Sequence, residues 1–170
     1  MRILRTAGMG LVFAVVVLAV GCLLGSRDWG EGGGGSVPAA AVPVAEGVFA
    51  VRARIDVPDG KAWYPGILKP GDSAMVCRQC FGSEVLRTSK YQVYLPPSRW
   101  IPALAGTPLP HGAVEFGDDG GELYLVRTQL ASGGDYAYGV LSQANQVPYV
   151  YSGKIWAPVP ECEVLCAVVR

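Results

Sequence analysis

Phe49-Ala50-Val51-Arg52 has a counterpart further along the chain in Tyr124-Leu125-Val126-Arg127. The surrounding residues alternate between apolar and polar, which is the period-two pattern of a half-buried strand. The correspondence continues in the same order, with residues 37–42 matching 109–114, 65–68 matching 138–141, 75–76 matching 149–150, and 91–95 matching 162–166. The offset stays between 71 (93 to 164) and 75 (52 to 127), as short loop insertions would produce. We therefore predict two tandem copies of one structural unit.

The composition predicts that both copies consist of strands. The 13 prolines and 23 glycines would interrupt any long amphipathic helix, and helical periodicity is absent after residue 36. A unit of about 60 residues buries too little surface to be stable alone. We predict an all-β fold in which two tandem pseudo-symmetric repeats of short antiparallel strands pack as one β-sandwich-like domain.

The sequence divides into five predicted segments. They are a signal peptide or signal anchor (1–26), a Gly-rich tether (27–36), a first repeat (37–96), a linker (97–107) and a second repeat (108–170).

The amino-terminal segment has the pattern of a targeting sequence. Arg2 and Arg5 precede an uncharged, largely apolar stretch at 6–26. Three interpretations fit: a cleaved secretory signal, a retained membrane anchor, or a lipidated Cys22, since Leu18-Ala19-Val20-Gly21-Cys22 resembles a bacterial lipobox. All three place the remaining chain outside the cytoplasm, secreted or tethered, with membrane contact confined to this segment.

Four further cysteines, Cys77, Cys80, Cys162 and Cys166, are candidates for disulfides, which an extracytoplasmic compartment favours. Cys162 and Cys166 lie about 13 Å apart along one predicted strand, too far to pair with each other. We expect them to pair with Cys77 and Cys80 across the two copies. Free buried thiols and a zinc site are the alternatives. Zinc is disfavoured because Cys162 and Cys166 do not lie in a tight turn, and no metal is assigned.

Several function classes lack their usual sequence signals. The net charge is zero and no Lys/Arg-rich run occurs, which argues against nucleic-acid binding. The single histidine, His111, lies in a Pro-rich turn, and no nucleophile elbow, phosphate-binding loop or zinc-protease motif is present. We predict a protein that is not an enzyme and needs no cofactor.

Carbohydrate binding has a candidate in the turn at Asp118 and Asp119. Glycines on both sides indicate an exposed turn. Carboxylates accept hydrogen bonds from neighbouring sugar hydroxyls, while aromatic rings cover the C–H surface of a sugar. Tyr138 and Tyr151 of the second copy are the predicted aromatic platform.

The second copy resembles the DM-nine repeat. The matching stretches are Pro110-His111-Gly112-Ala113-Val114, the run 117–127, the run 147–154 and Glu163-Val164-Leu165. The first copy departs from the pattern, with Ala45-Glu46-Gly47 in place of the aspartate turn and Cys77-Arg78-Gln79-Cys80 in place of a polar-aromatic segment. The resemblance extends from Val37 to the end of the chain.

The resemblance implies a function as well as a fold. The family includes secreted invertebrate lectins that bind mannose through tandem copies, and the amino-terminal part of natterin-like toxins. Its turn aspartate corresponds to Asp119, whereas its sugar-contacting lysine is replaced by Ile67 and Val140. We expect an extracytoplasmic carbohydrate-binding module for a mannose-type glycan. The alternative is a non-catalytic module that binds a surface protein and has lost the sugar site.

Overall fold

The computed structural model describes residues 28–78, 84–131, 133–144, 146–153 and 156–168. The predicted signal or anchor segment, Cys22 and Cys80 lie outside these ranges. No helix in the described part of the chain is long and apolar enough to cross a membrane.

The described residues form strands connected by turns and loops. The strands are β1 (Trp29–Gly33), β2 (Phe49–Val57), β3 (Gly60–Leu68), β4 (Ala74–Arg78), β5 (Glu84–Thr88), β6 (Lys90–Tyr94), β7 (Ser98–Leu104), β8 (Glu115–Gly117), β9 (Leu123–Gln129), β10 (Tyr136–Ser142), β11 (Pro148–Tyr151), β12 (Trp156–Pro158) and β13 (Glu161–Ala167). They form two antiparallel sheets. The predicted all-β, sandwich-like fold is confirmed.

The two sheets have corresponding strand orders. The first is β1-β6-β2-β3-β4-β5, and the second is β7-β13-β9-β10-β11-β12, with β8 beside β9. Val51 pairs with Gly66 on one side and Val93 on the other. Val126 pairs in the same way with Gly139 and Val164. Residues that correspond in the two halves of the sequence therefore occupy equivalent positions in the two sheets.

The predicted Gly-rich tether is wrong, because Trp29–Gly33 is β1 and pairs with β6 along its whole length. The glycines allow close packing here. A side chain at Gly32 would overlap the ring of Tyr91, and a Cβ at Gly30 would come within 2.9 Å of Pro38. The folded part therefore begins before the predicted boundary at Val37.

The predicted linker at 97–107 is wrong for a similar reason. Its residues 98–104 form β7, which pairs with β13 from Ser98–Ala167 to Leu104–Glu161. Pro102 within β7 is compatible with an edge strand, where one side of the backbone needs no partner.

The central strands are buried on both faces. Between the sheets lies a cluster of Ala50, Ile67, Tyr94, Phe116, Leu125, Tyr138 and Leu165. Val51, Tyr64 and Val93 belong to a second cluster, largely from the first sheet, and Val126, Leu141 and Val164 to a third, in the second sheet. The segment after β1 packs Val37 and Ala41 against the second cluster, and the segment after β7 packs Leu109 and Ala113 against the third.

Gly139 is expected to be essential for the close approach of β10 and β11. A Cβ at this position would overlap the carbonyl oxygen of Tyr149 on the neighbouring strand. Gly139→Ala should lower the free energy of unfolding by about 2 kcal/mol or more, measured by urea denaturation. The control is Gly47→Asn, at an open turn position with φ of 62° that asparagine tolerates. Equal stability of Gly139→Ala and the parent chain would contradict this packing.

Candidate functional site

Arg127 is held between two aromatic rings at one end of the second sheet. Its guanidinium carbon lies 4.5 Å from the ring centre of Trp100 and 3.9 Å from that of Tyr136. Its Nε donates a hydrogen bond of 2.7 Å to Glu163 on β13. Only 12% of the Arg127 side chain is exposed. We call Arg127, Trp100, Tyr136 and Glu163 the second arginine stack.

The first sheet has an equivalent arrangement around Arg52. The guanidinium lies 4.0 Å from the ring of Trp29 and 4.6 Å from that of Trp63, and Nε donates to the Gln92 side chain at 3.0 Å. Gln92 in turn donates to Glu31 at 2.6 Å. We call Arg52, Trp29, Trp63 and Gln92 the first arginine stack. It has a neutral amide where the second stack has a carboxylate.

The electrostatic environment of Arg52 includes residues of both copies. Burial lowers the pKa of Arg52, whereas the nearby carboxylates of Glu115, Asp118 and Glu31 act in the opposite direction. Glu115 and Asp118 come from β8 and the turn that follows it. The second copy therefore supplies part of the negative charge that stabilises the arginine of the first copy.

A cleft opens beside the second arginine stack because β9 and β13 diverge there. Pairing between these strands consists of Val126–Val164 and Arg127–Glu163. It does not continue to Thr128 and Cys162, although β9 remains paired with β10 and β13 with β7. The resulting space, about 580 Å³, is the β9–β13 cleft.

The β9–β13 cleft is lined by both polar and apolar groups. Arg127, Gln129, Glu161 and Glu163 supply hydrogen-bonding side chains, and Tyr136 supplies aromatic surface. Gln129 and Glu161 are exposed, whereas the other three side chains are partly buried. The cleft can thus present two carboxylates and an amide to a ligand next to a rigid, stacked ring. Its volume falls within the range of about 300 to 1,000 Å³ that is usual for small-molecule sites.

The predicted aspartates do not line this cleft, and their side chains contact the first sheet instead. Asp118 accepts a hydrogen bond of 3.2 Å from the backbone N–H of Trp63. Asp119 accepts one from the hydroxyl of Tyr64, whose side chain is fully buried. These contacts connect the turn of the second copy to β3 of the first.

The predicted tyrosine platform is not brought together with Asp119 in the described structure. Tyr138 is buried, 6.1 Å from the ring of Trp100, and its pKa is raised by burial despite a hydrogen bond with Arg127. Tyr151 donates a hydrogen bond to the carbonyl of Gly153 and packs its ring against Trp156. Tyr138 therefore contributes to the support of the second arginine stack.

The predicted disulfides between the two copies are wrong for the three described cysteines. Cys77, Cys162 and Cys166 are buried and unpaired. Cys77 belongs to the core cluster largely formed by the first sheet, while Cys162 and Cys166 belong to that of the second sheet. Their membership of different core clusters is a tertiary property that the spacing along the sequence does not reveal. Among described residues, no group of His, Cys, Asp or Glu side chains could hold a metal ion.

The sequence analysis missed the residues that line the cleft. Two signals pointed to the arginine stacks, the second of which adjoins the cleft. Arginine ends the matching stretch in both copies, and Trp29 and Trp100 are separated by the repeat offset of 71 (29 to 100). Comparison with models of known protein families and with curated proteins gave no match.

The second arginine stack should contribute more to stability than the first. Arg127→Met leaves the Glu163 carboxylate partly buried without its cation, at a cost of about 2 to 3 kcal/mol. Arg52→Met leaves a neutral amide that keeps its bond to Glu31. The nearby carboxylates of Glu115 and Asp118 are exposed to water, so the cost should be about 1 kcal/mol. Urea denaturation compares the two variants, with exposed Arg87→Met as control. Equal losses at both positions would contradict the proposed difference between carboxylate and amide.

The buried thiols should be unreactive in the folded protein. Burial raises the pKa of Cys77 to about 12 and that of Cys162 to about 11, and raises the pKa of Cys166 as well. In a C22S/C80S variant, three thiols should react with a chromogenic disulfide reagent under denaturing, non-reducing conditions. At pH 8, Cys77 and Cys162 should each react at least about a hundredfold more slowly in the folded protein, and Cys166 should also react more slowly. Fewer than three thiols after denaturation would indicate a disulfide.

These shifts also predict a loss of stability at alkaline pH. The thiol of Cys77 ionises near its ordinary value of 9.0 in the unfolded chain but near 12 in the folded one, so the unfolded state is favoured as pH rises through this interval. Between pH 8 and 10, the free energy of unfolding should fall by about 1.4 kcal/mol more in the parent chain than in Cys77→Ala. If the free energy of unfolding of the two proteins showed the same dependence on pH, this would contradict a raised pKa of Cys77.

Proposed function

We propose that this protein binds carbohydrate in the β9–β13 cleft. The observation that carries the proposal is the grouping of Glu161, Glu163, Gln129 and Tyr136 in one open cleft at the end of the second sheet. Carboxylates accept hydrogen bonds from neighbouring hydroxyls, an amide both accepts and donates them, and a ring packs against the C–H face of a sugar.

The positions of these side chains suit recognition of an uncharged polyol. Glu163 is already paired with Arg127, so its negative charge is largely balanced, while its remaining lone pairs can accept hydrogen bonds. Gln129 and Glu161 are exposed and can reach a ligand from the two diverging strands. The rigid stack reduces the entropy lost when the ligand is bound.

The resemblance to DM-nine lectins supports the same class of ligand at a different place. The two lysine positions hold Ile67 and Val140, and the hydrogen bond from Tyr64 occupies one oxygen of Asp119. These features argue against a sugar site of the family's kind at the aspartate turn. A mannose-type glycan is still the first ligand to test.

The test is a glycan array followed by calorimetric titration with the full-length chain. Glu161→Gln keeps the size of the side chain but removes its charge, and should weaken binding about tenfold, the expected effect of one hydrogen bond to a charged group. Gln129→Ala should weaken binding about fivefold. The matched control is Glu46→Gln, an exposed glutamate of the first copy that should leave affinity unchanged.

The outcomes separate the proposed site from its rivals. If sugar binding were lost in Asp119→Ala but unchanged in Glu161→Gln, the binding site would be the aspartate turn. The absence of any bound glycan, together with a protein partner retained in excess saccharide, would favour the alternative of a protein-binding module.

A further inference from the structure

A second, smaller cavity adjoins the β9–β13 cleft. It has a volume of about 210 Å³ and shares four wall residues with the cleft: Ala103, Leu104, Thr107 and Pro108. We call it the side pocket. Its remaining lining comes from the segment after β7 and from the end of β10 with the turn that follows.

The side pocket is mainly apolar. Leu109 and Leu141 form its inner wall, and both pack in the core cluster of the second sheet. Ser142 contributes one of the few buried polar groups of the described residues. At the border with the cleft, Leu104 is 56% exposed, which makes it the most exposed large apolar side chain among described residues. This exposure costs free energy in water unless a ligand covers the side chain.

The walls of the side pocket are held by backbone hydrogen bonds. The N–H of Gly106 donates to the carbonyl of Gln146 at 2.9 Å, and Gln146 adopts a positive φ of 52°. The N–H of Ala105 donates to Pro160 at 2.9 Å, and the hydroxyl of Thr107 donates to the carbonyl of Leu104 at 2.8 Å. The pocket is therefore formed before any ligand arrives.

We propose that the ligand is a glycoside whose sugar lies in the β9–β13 cleft and whose short alkyl or acyl substituent enters the side pocket. This inference rests on the proposed function, because the shared wall of Ala103 and Leu104 makes the two cavities parts of one site. A glycoside has a polar sugar ring next to an apolar substituent. In the same order along the shared wall, the polar cleft is followed by the apolar side pocket. Ser142 would lie next to the carbonyl of an acyl group.

The chain length of the substituent should determine affinity. Burial of one methylene contributes about 0.8 kcal/mol, which corresponds to about fourfold in the dissociation constant. An n-butyl glycoside should therefore bind about tenfold to sixtyfold more tightly than the methyl glycoside of the same sugar. The gain should end once the side pocket is full.

The experiment is calorimetric titration of the full-length chain with matched methyl and n-butyl glycosides of mannose, glucose and galactose. Gln143→Trp places a large ring at the exposed rim of the side pocket, outside the cleft. This variant should lose most of the advantage of the butyl group while retaining its affinity for the methyl glycoside. The matched control is Arg87→Trp, which adds the same ring at an exposed position of the first sheet and should behave like the parent chain.

Failure of this inference can be distinguished from failure of the proposed function. Equal affinity for methyl and butyl glycosides would overturn the side-pocket proposal while leaving the sugar site intact. If Gln143→Trp still bound the butyl glycoside more tightly than the methyl glycoside, the butyl group would lie against another apolar surface. That result would also overturn the side-pocket proposal. Binding of neither glycoside of any of the three sugars would reject the proposed function, and with it the side-pocket inference.

Discussion

A guanidinium stacked between two aromatic rings is the constraint on which each sheet depends. Arg127 links four neighbouring strands: it lies on β9, stacks on Trp100 of β7 and Tyr136 of β10, and bonds to Glu163 of β13. A charge with so little exposure is tolerated only when a partner neutralises it and hydrogen bonds are satisfied. Arg127 therefore connects these four strands through its side chain, and the Arg127–Glu163 pair is also the last pair before β9 and β13 separate.

The two copies neutralise the charge of their stacked arginine in different ways. Arg127 has an acidic partner within its own sheet, whereas Arg52 has the neutral Gln92 and relies on carboxylates that include Glu115 and Asp118 of the second copy. The first copy is thus completed by the second. The aspartate turn has a structural role in this arrangement, since its side chains also accept hydrogen bonds from Trp63 and Tyr64. Loss of the turn would affect folding at the interface of the sheets.

The sequence predicts the fold better than the site, for physical reasons. The alternation of apolar and polar residues is a local signal, so the β structure follows from it. Composition misleads at Gly30–Gly33, because glycine is typical both of free linkers and of close backbone packing. The cleft depends on where the pairing of β9 and β13 stops, which is a tertiary property. The arginine in both copies was visible in the sequence, but the stacking rings lie on other strands.

At the position where the first sheet has Tyr91, the second sheet has the much smaller Cys162. In the first sheet, Tyr91 on β6 lies opposite Gly32, and its ring occupies the space that this glycine leaves. In the second sheet, the equivalent pair is Cys162 opposite Ala103, and both line the β9–β13 cleft. A tyrosine buries far more volume than a cysteine, so the same backbone arrangement is filled in one copy and open in the other. Cys162 therefore leaves room at this end of the second sheet that a tyrosine ring would occupy.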